Sequence, residues 1–121
     1  MPRFVLLEHR WQGIHWDLML ERDTSLRTWA IDTPIVVGID LPARSLPDHR
    51  RLYLDYEGEI SGSRGSVRRL DEGTYTILEW QAERIRVVLD GTQLVGEAEL
   101  CQVGGTSDDD RGWIFRLGKV I

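Results

Sequence analysis

Apolar residues occur along this chain in short runs and in alternation, and turn-forming residues separate the runs, which is the pattern of β-strands. From His15 to Glu21 every second residue falls on one face of an extended strand, and Trp16, Leu18 and Leu20 fall on the other. The neighbouring runs are equally short, which leaves little room for helix. The predicted strands are Phe4–His9, His15–Glu21, Leu26–Ile31, Gly65–Leu70, Thr74–Gln81, Ile85–Leu89, Gln93–Val103 and Trp113–Leu117.

Turn signals connect these strands. Asp90-Gly91 is the strongest short hairpin signal, and Asp71-Glu72-Gly73 predicts another hairpin because its glycine is free to take a positive φ. Three prolines between residues 32 and 48 predict a loop with short extended pieces. Periodicity does not decide whether His49–Tyr56 forms a helical turn or a strand.

A chain of many short strands must protect the edges of its sheet, and closure of the sheet removes those edges. We therefore expect an all-β fold: a small closed or nearly closed antiparallel β-barrel of about seven to eight strands with little helix. At 121 residues the chain has room for one such domain, spanning residues 1–121.

Composition and charge narrow the class of protein. An apolar share of 41%, a charged share of 29% and five tryptophans argue against disorder. No apolar run approaches the roughly 20 residues of a membrane helix, no signal pattern begins the chain, and one cysteine, Cys101, excludes an internal disulfide. We therefore expect a soluble, cytoplasmic protein without a membrane partner. The net charge of −5 disfavours a protein that coats DNA non-specifically.

The first candidate site involves two of the three histidines. His15 and Asp17 lie two apart on one strand, so both side chains project from the same face. If the first two strands pair through the short turn Arg10–Gly13, His9 lies beside His15. Two imidazoles and a carboxylate suit Mn, Fe or Zn and leave open positions for substrate. The alternative is an ordinary solvated strand face.

Two further clusters are candidates for binding an anion. The segment 48–58 holds His49, Arg50, Arg51 and two tyrosines, which are suited to grip and protonate a phosphate. The segment 61–69 combines Gly and Ser with three arginines, and its free backbone N–H groups are suited to an anion. The alternatives are a solvated charged turn whose tyrosines pack into the core and a flexible approach to a hairpin.

Tryptophan is the remaining residue type with a choice of roles. Trp11 lies in the turn between His9 and His15 and is the one candidate for stacking on a base. The other four are predicted to be core residues: Trp16, Trp29, Trp80 and Trp113.

Together these motifs resemble the 3′-phosphoesterase domain of bacterial ATP-dependent DNA ligase D, here as a short standalone protein. The first part of the resemblance is a His followed six residues later by His-aromatic-Asp and then Leu-Glu, which are His9, His15-Trp-Asp17 and Leu20-Glu21. The second is Asp48-His49, Tyr53 and Asp55-Tyr-Glu57-Gly58. The third, looser part comprises Gly65-x-Val67, Asp71-x-Gly-Thr-Tyr75, Leu94-x-Gly96 and Trp113-Ile-Phe115.

The resemblance implies a small β-barrel phosphoesterase that trims phosphate and ribonucleosides from nucleic-acid 3′ ends in DNA repair, a metal-dependent hydrolase that usually uses manganese, with Zn²⁺ or Fe²⁺ also possible. It implies DNA 3′ ends, and repair ligase or polymerase components, as partners. Carried over residue by residue, it makes His9, His15 and Asp17 metal ligands and makes His49 and Tyr53 the groups that hold or protonate the phosphate. The first candidates to hold the strand end are Arg50, Arg51 and Arg64, and Glu21 and Glu57 are supporting residues.

The sequence also departs from the family. Met19 stands where the family has an Arg, Leu7 where it usually has a Gln, and Thr33 where it has a Lys. The chain begins three residues before the first predicted strand, so we expect neither the family's polar N-terminal arm nor the ligase and polymerase domains. Loss of the Arg predicts weakened catalysis, and it leaves open a degenerate, non-catalytic module that binds DNA ends or scaffolds repair. A non-haem iron oxygenase is the other alternative, because His15-x-Asp17 with a distant His is also its ligand pattern.

Overall fold

The computed structural model describes residues 1–103 and 112–118. Its elements are nine strands and one 3₁₀ turn, Arg51–Leu54. The strands are β1 Arg3–Arg10, β2 Ile14–Arg22, β3 Ser25–Ile31, β4 Leu41–Arg50, β5 Gly58–Glu59, β6 Ser66–Trp80, β7 Arg84–Gly91, β8 Val95–Gln102 and β9 Trp113–Leu117. Within these described residues, no helix has the length and apolar character needed to cross a membrane.

Eight of the strands form a ring. They pair in the order β1-β2-β3-β4-β9-β8-β7-β6, and β6 returns to β1, so the sheet is a nearly closed antiparallel barrel. The all-β, barrel-like prediction is therefore confirmed. The ring is uneven, because β4 pairs with β9 only through Leu41–Ala43, while it pairs with β3 as far as Arg50. The C-terminal half of β4 therefore leaves the ring, and β5 adds a short strand beside the start of β6.

Strands β1 and β2 bury both of their faces. Phe4 and Leu18 belong to the main apolar cluster inside the ring, whereas Val5, Leu7 and Met19 belong to a second cluster. Successive side chains of a strand point to opposite faces, so the second cluster lies on the outer face of these two strands. Its other members come from β3, the 3₁₀ turn and β6: Leu26, Tyr53, Leu54 and Val67. This outer face is the one that carries the candidate metal ligands.

The predicted hairpin at Asp71-Glu72-Gly73 is wrong, because these residues lie within one continuous strand, β6. The Asp71 carboxylate instead accepts hydrogen bonds from the backbone N–H groups of Thr92, Gln93 and Leu94, so it stabilises the turn after β7. A Cβ on Gly73 would lie 2.1 Å from the carbonyl oxygen of Asp90. The glycine thus permits close contact between strands rather than a chain reversal.

The loop predicted over residues 32–48 is wrong in its second half, which forms β4. Pro47 fits a strand because it lies where a ladder hydrogen bond is dispensable. Pro47 falls at the irregularity opposite Leu26–Thr28, and beyond Ala43 the strand pairs with β3 alone among the described strands. The segment His49–Tyr56 combines both interpretations, since β4 ends at Arg50 and the 3₁₀ turn follows.

Candidate metal and phosphate site

The pairing of β1 with β2 brings two histidines together. The register places His9 directly opposite His15, and their rings lie 4.7 Å apart between centroids. The short turn between the strands allows this register because Gln12 and Gly13 both take positive φ, 55° and 117°. The predicted neighbourhood of the two imidazoles is therefore confirmed.

Asp17 completes the cluster from the next outward-facing position of β2. It is 2% exposed, and its Oδ1 lies 2.7 Å from Nδ1 of His15 while its Oδ2 lies 3.4 Å from Nδ1 of His9. One possible ligand atom from each of the three residues lies within 4.8 Å of the others. A His-His-Asp group of this kind can hold a metal ion.

The electrostatics of the cluster follow from these contacts. Burial by itself raises the pKa of the Asp17 carboxyl, but the hydrogen bonds from His15 and His9 outweigh it and leave that pKa below its ordinary value. The hydrogen bond with Asp17 raises the pKa of His9, against the opposing effect of burial. Nε2 of His9 also lies 3.0 Å from the carbonyl oxygen of Arg64. Asp17 is thus held as a carboxylate, the form that ligates a cation.

His49 and Tyr53, from the second motif of the resemblance, line the same cavity, which has a volume of about 440 Å³. His49 is the last but one residue of β4, and Tyr53 lies on the 3₁₀ turn, with its ring 5.8 Å from that of His49. Nδ1 of His49 donates to the carbonyl oxygen of Pro47 at 2.8 Å, so Nε2 is the nitrogen that can exchange a proton. The lining residues are His9, Trp11, His15, Asp17, Met19, Arg44, Leu46, Asp48, His49, Arg50, Tyr53, Ile60, Arg64 and Val67.

The predicted anion-binding arginines separate into two groups. Arg50 and Arg64 line the cavity, although Arg64 also donates to the carbonyl oxygen of Ser61 at 2.9 Å. Arg51 is not among the lining residues and forms an ion pair with Glu21. The structure therefore brings Arg50 and Arg64, but not Arg51, to the cavity that also holds His9, His15 and Asp17.

The two predicted supporting carboxylates contact backbone and arginine outside the cavity. Glu21 accepts a hydrogen bond from the backbone N–H of Arg3 at 3.0 Å and pairs with Arg51, so it ties β1 and β2 to the 3₁₀ turn that carries Tyr53. Glu57 accepts from the backbone N–H of Arg69 at 3.1 Å. Neither carboxylate lines the cavity.

Sequence reasoning missed Arg44, which lines the cavity from β4. Asp17 pairs with Ala30 and Ala30 with Arg44, so these three side chains share one row across the sheet. The alternation of side chains along β4 could have placed Arg44 on the outer face of the sheet. This segment was predicted to be a loop, however, and faces can be assigned only to the residues of a strand. Met19 lies in the adjacent row with Thr28 and Leu46, is 1% exposed, and leaves that row without a charge.

The chain is similar to known end-joining proteins. Residues 7–102 match the model of the DNA ligase D 3′-phosphoesterase domain. The multifunctional non-homologous end joining DNA repair protein LigD of Mycobacterium tuberculosis is 31% identical over 123 residues, covering 94% of this chain and 16% of that protein. The LigD of Pseudomonas aeruginosa is 29% identical over 108 residues, covering 81% of this chain and 13% of that protein. The chain thus spans 16% and 13% of the length of these two relatives, and it belongs to the family of DNA ligase D 3′-phosphoesterase domains.

Proposed function

We propose that the cavity is the active site of a metal-dependent phosphoesterase that removes phosphate or a ribonucleotide from nucleic-acid 3′ ends. The observation that carries the proposal is the convergence of His9, His15 and Asp17 in the same cavity as His49 and Tyr53. Membership of the phosphoesterase family supports this reaction class. The proposed substrates are the 3′ ends of DNA strands that undergo repair. The proposed partners are ligase or polymerase components of end joining.

The donor set fits a divalent ion held by His9, His15 and Asp17. Two imidazoles and one carboxylate supply three of the four to six ligands that Mn²⁺, Zn²⁺ or Fe²⁺ accepts, so positions remain for substrate oxygen. We assign Mn²⁺ as the working ion because manganese is usual in the family that the sequence motifs resemble. When bound, the ion supplies positive charge that polarises a phosphoryl oxygen.

The chain's own residues then handle the proton and the phosphate. Water attacks phosphorus, the bond from phosphorus to the terminal sugar oxygen breaks, and that oxygen must gain a proton as it leaves. Nε2 of His49 is suited to donate this proton from the imidazolium form, since Nδ1–H is held by the Pro47 carbonyl, and the proton that the attacking water loses then returns His49 to that form. The hydroxyl of Tyr53 is suited to orient the phosphate by hydrogen bonding, because its ring is fixed in the second apolar cluster.

Positive charge on the cavity wall offsets the acidic net charge of the protein. Arg44, Arg50 and Arg64 line the cavity and are the proposed contacts to the strand end. Arg44 is the proposed replacement for the cation that Met19 does not supply, because it shares a row with Asp17 across the small side chain of Ala30.

The test is hydrolysis of a primer–template ending in a 3′-phosphate, with and without Mn²⁺, resolved on a gel. Wild type should release the phosphate only with metal, and His15→Ala, Asp17→Ala and His49→Ala should each remove most of the rate. Asp40→Ala is the matched control, because Asp40 is exposed and pairs with Arg116 outside the cavity. Equal rates in all four variants would contradict the assignment of the cavity.

A non-catalytic module that binds DNA ends is the second candidate function, and the uncharged row of Met19, Thr28 and Leu46 favours it. This candidate predicts that the protein binds 3′-phosphorylated ends and that it releases no phosphate with any divalent metal.

Release of CO₂ from a 2-oxoacid in the presence of Fe²⁺ would instead indicate an oxygenase.

A further inference from the structure

Trp11 is an exposed aromatic residue at the edge of the cavity. It is 41% exposed and lines the cavity together with His9, and the two rings lie 6.3 Å apart with an angle of 19° between their planes. Its indole therefore lies nearly parallel to the imidazole of a candidate metal ligand. Trp29 and Trp113, by contrast, are packed against each other in the main apolar cluster.

The backbone around Trp11 is held by a neighbouring turn. Gly65 has φ +83°, and a Cβ there would lie 1.9 Å from the carbonyl oxygen of Arg10 and 2.7 Å from Cβ of Trp11. The carbonyl oxygen of Arg64, in the same turn, contacts Nε2 of His9. The turn that holds Arg64 thus packs directly on the tip of the β1–β2 hairpin and fixes the position of the Trp11 backbone and Cβ.

We propose that Trp11 is the stacking platform for the nucleobase of the terminal nucleotide, whose phosphate lies at the metal cluster. A base has a flat apolar face, which an exposed indole accepts without reading its identity. Arg64 lines the same cavity next to this platform and supplies positive charge for the strand's phosphate. The platform therefore selects for a nucleotide with a base at the 3′ end, rather than for a particular sequence.

This inference rests on the proposed function, and it goes beyond it by naming the part of the substrate recognised outside the reacting phosphate. It predicts that binding depends on the base of the last nucleotide, and that this dependence passes through Trp11. A residue with only a structural role in the hairpin would weaken binding to all ends equally.

The experiment measures the affinity of two 5′-fluorescein oligonucleotides by anisotropy in EDTA, which prevents turnover. Both end in a 3′-phosphate, and one has an abasic sugar as its last nucleotide. In wild type, loss of the base should weaken binding by roughly 5- to 150-fold, the range of stacking on one aromatic side chain. Trp11→Ala should bind the two oligonucleotides alike, and Trp11→Phe should keep most of the difference.

Leu78→Ala is the matched control, because it removes an apolar side chain that is 47% exposed and does not line the cavity. The control should preserve the full difference between the two oligonucleotides. Equal binding of both by wild type, an undiminished difference in Trp11→Ala, or no binding of either oligonucleotide would overturn the platform. Failure of the phosphoesterase would be distinct, because it removes phosphate release on the gel and leaves the dependence on the base intact.

Discussion

Replacement of Arg44 by Ala is expected to slow release of a 3′-terminal phosphate by about 100- to 1000-fold, the usual effect of losing one charged donor to a developing anion. The expectation follows from the row Asp17–Ala30–Arg44, which spans two strand spacings, or about 10 Å between its outer Cα atoms. Between them stands only the methyl group of Ala30. The guanidinium can therefore extend toward a phosphate at the metal cluster.

The existing partner of Arg44 does not prevent this. Nε of Arg44 lies 3.4 Å from Oδ1 of Asp32, and the two side chains are 38% and 45% exposed. Such a surface pair contributes about 0–1 kcal/mol. Per unit charge, the phosphate and Asp32 offer Arg44 a similar attraction, roughly 4 kcal/mol at about 4 Å and an effective dielectric constant near 20. A terminal phosphate carries nearly two negative charges and Asp32 carries one, so the exchange of partners favours the phosphate.

The assay is the gel-resolved rate of phosphate release with Mn²⁺ for wild type, Arg44→Ala, Met19→Arg and the double variant. Met19→Arg places a cation in the adjacent row, so it should restore much of the rate lost in Arg44→Ala. Arg86→Ala is the control, because Arg86 pairs with Glu97 outside the cavity. A wild-type rate in Arg44→Ala, together with a gain of about 100-fold from Met19→Arg alone, would refute the reasoning.

Three other predictions concern the metal cluster and the fold. Calorimetry with Mn²⁺ should detect one site that Asp17→Ala abolishes and Asp40→Ala retains; equal binding by the two variants would show that the ligands are misassigned. Asp71→Ala should lower the free energy of unfolding by about 2–4 kcal/mol in urea denaturation, because it deprives buried N–H groups such as that of Leu94 of their acceptor, whereas Asp40→Ala should change it little. Burial raises the pKa of Tyr75 to about 12, so an ultraviolet titration should show one late tyrosine that Tyr75→Phe lacks. The folded state holds the Tyr75 proton more tightly than the unfolded state does. The contribution of this proton to the free energy of unfolding is therefore complete below about pH 10 and is lost as the pH rises to about 12.

The grouping of His9, His15 and Asp17 was predictable because it depends on local periodicity. Alternation within β2 fixes the shared face of His15 and Asp17, and a turn of three residues fixes the register that brings in His9. The continuous strand through Asp71-Glu72-Gly73 was not predictable in the same way. Its residues carry turn chemistry, but Asp71 and Gly73 use it for contacts with the end of β7 and the turn beyond it, which are distant in sequence.

Arg44 shows why the remaining part of the site depends on topology. Prolines mark β4 as loop in the sequence, and the strand tolerates Pro47 because its second half has left the ring and pairs with β3 alone among the described strands. The same departure separates this half of β4 from β9, and its residues Arg44 and His49 line the cavity together with Arg64. The same feature of the sheet accounts for Pro47 within a strand and for the segment, not paired with β9, that carries Arg44 and His49 to the cavity. These two residues come from the place where the barrel fails to close evenly, and only the pairing of strands identifies that place.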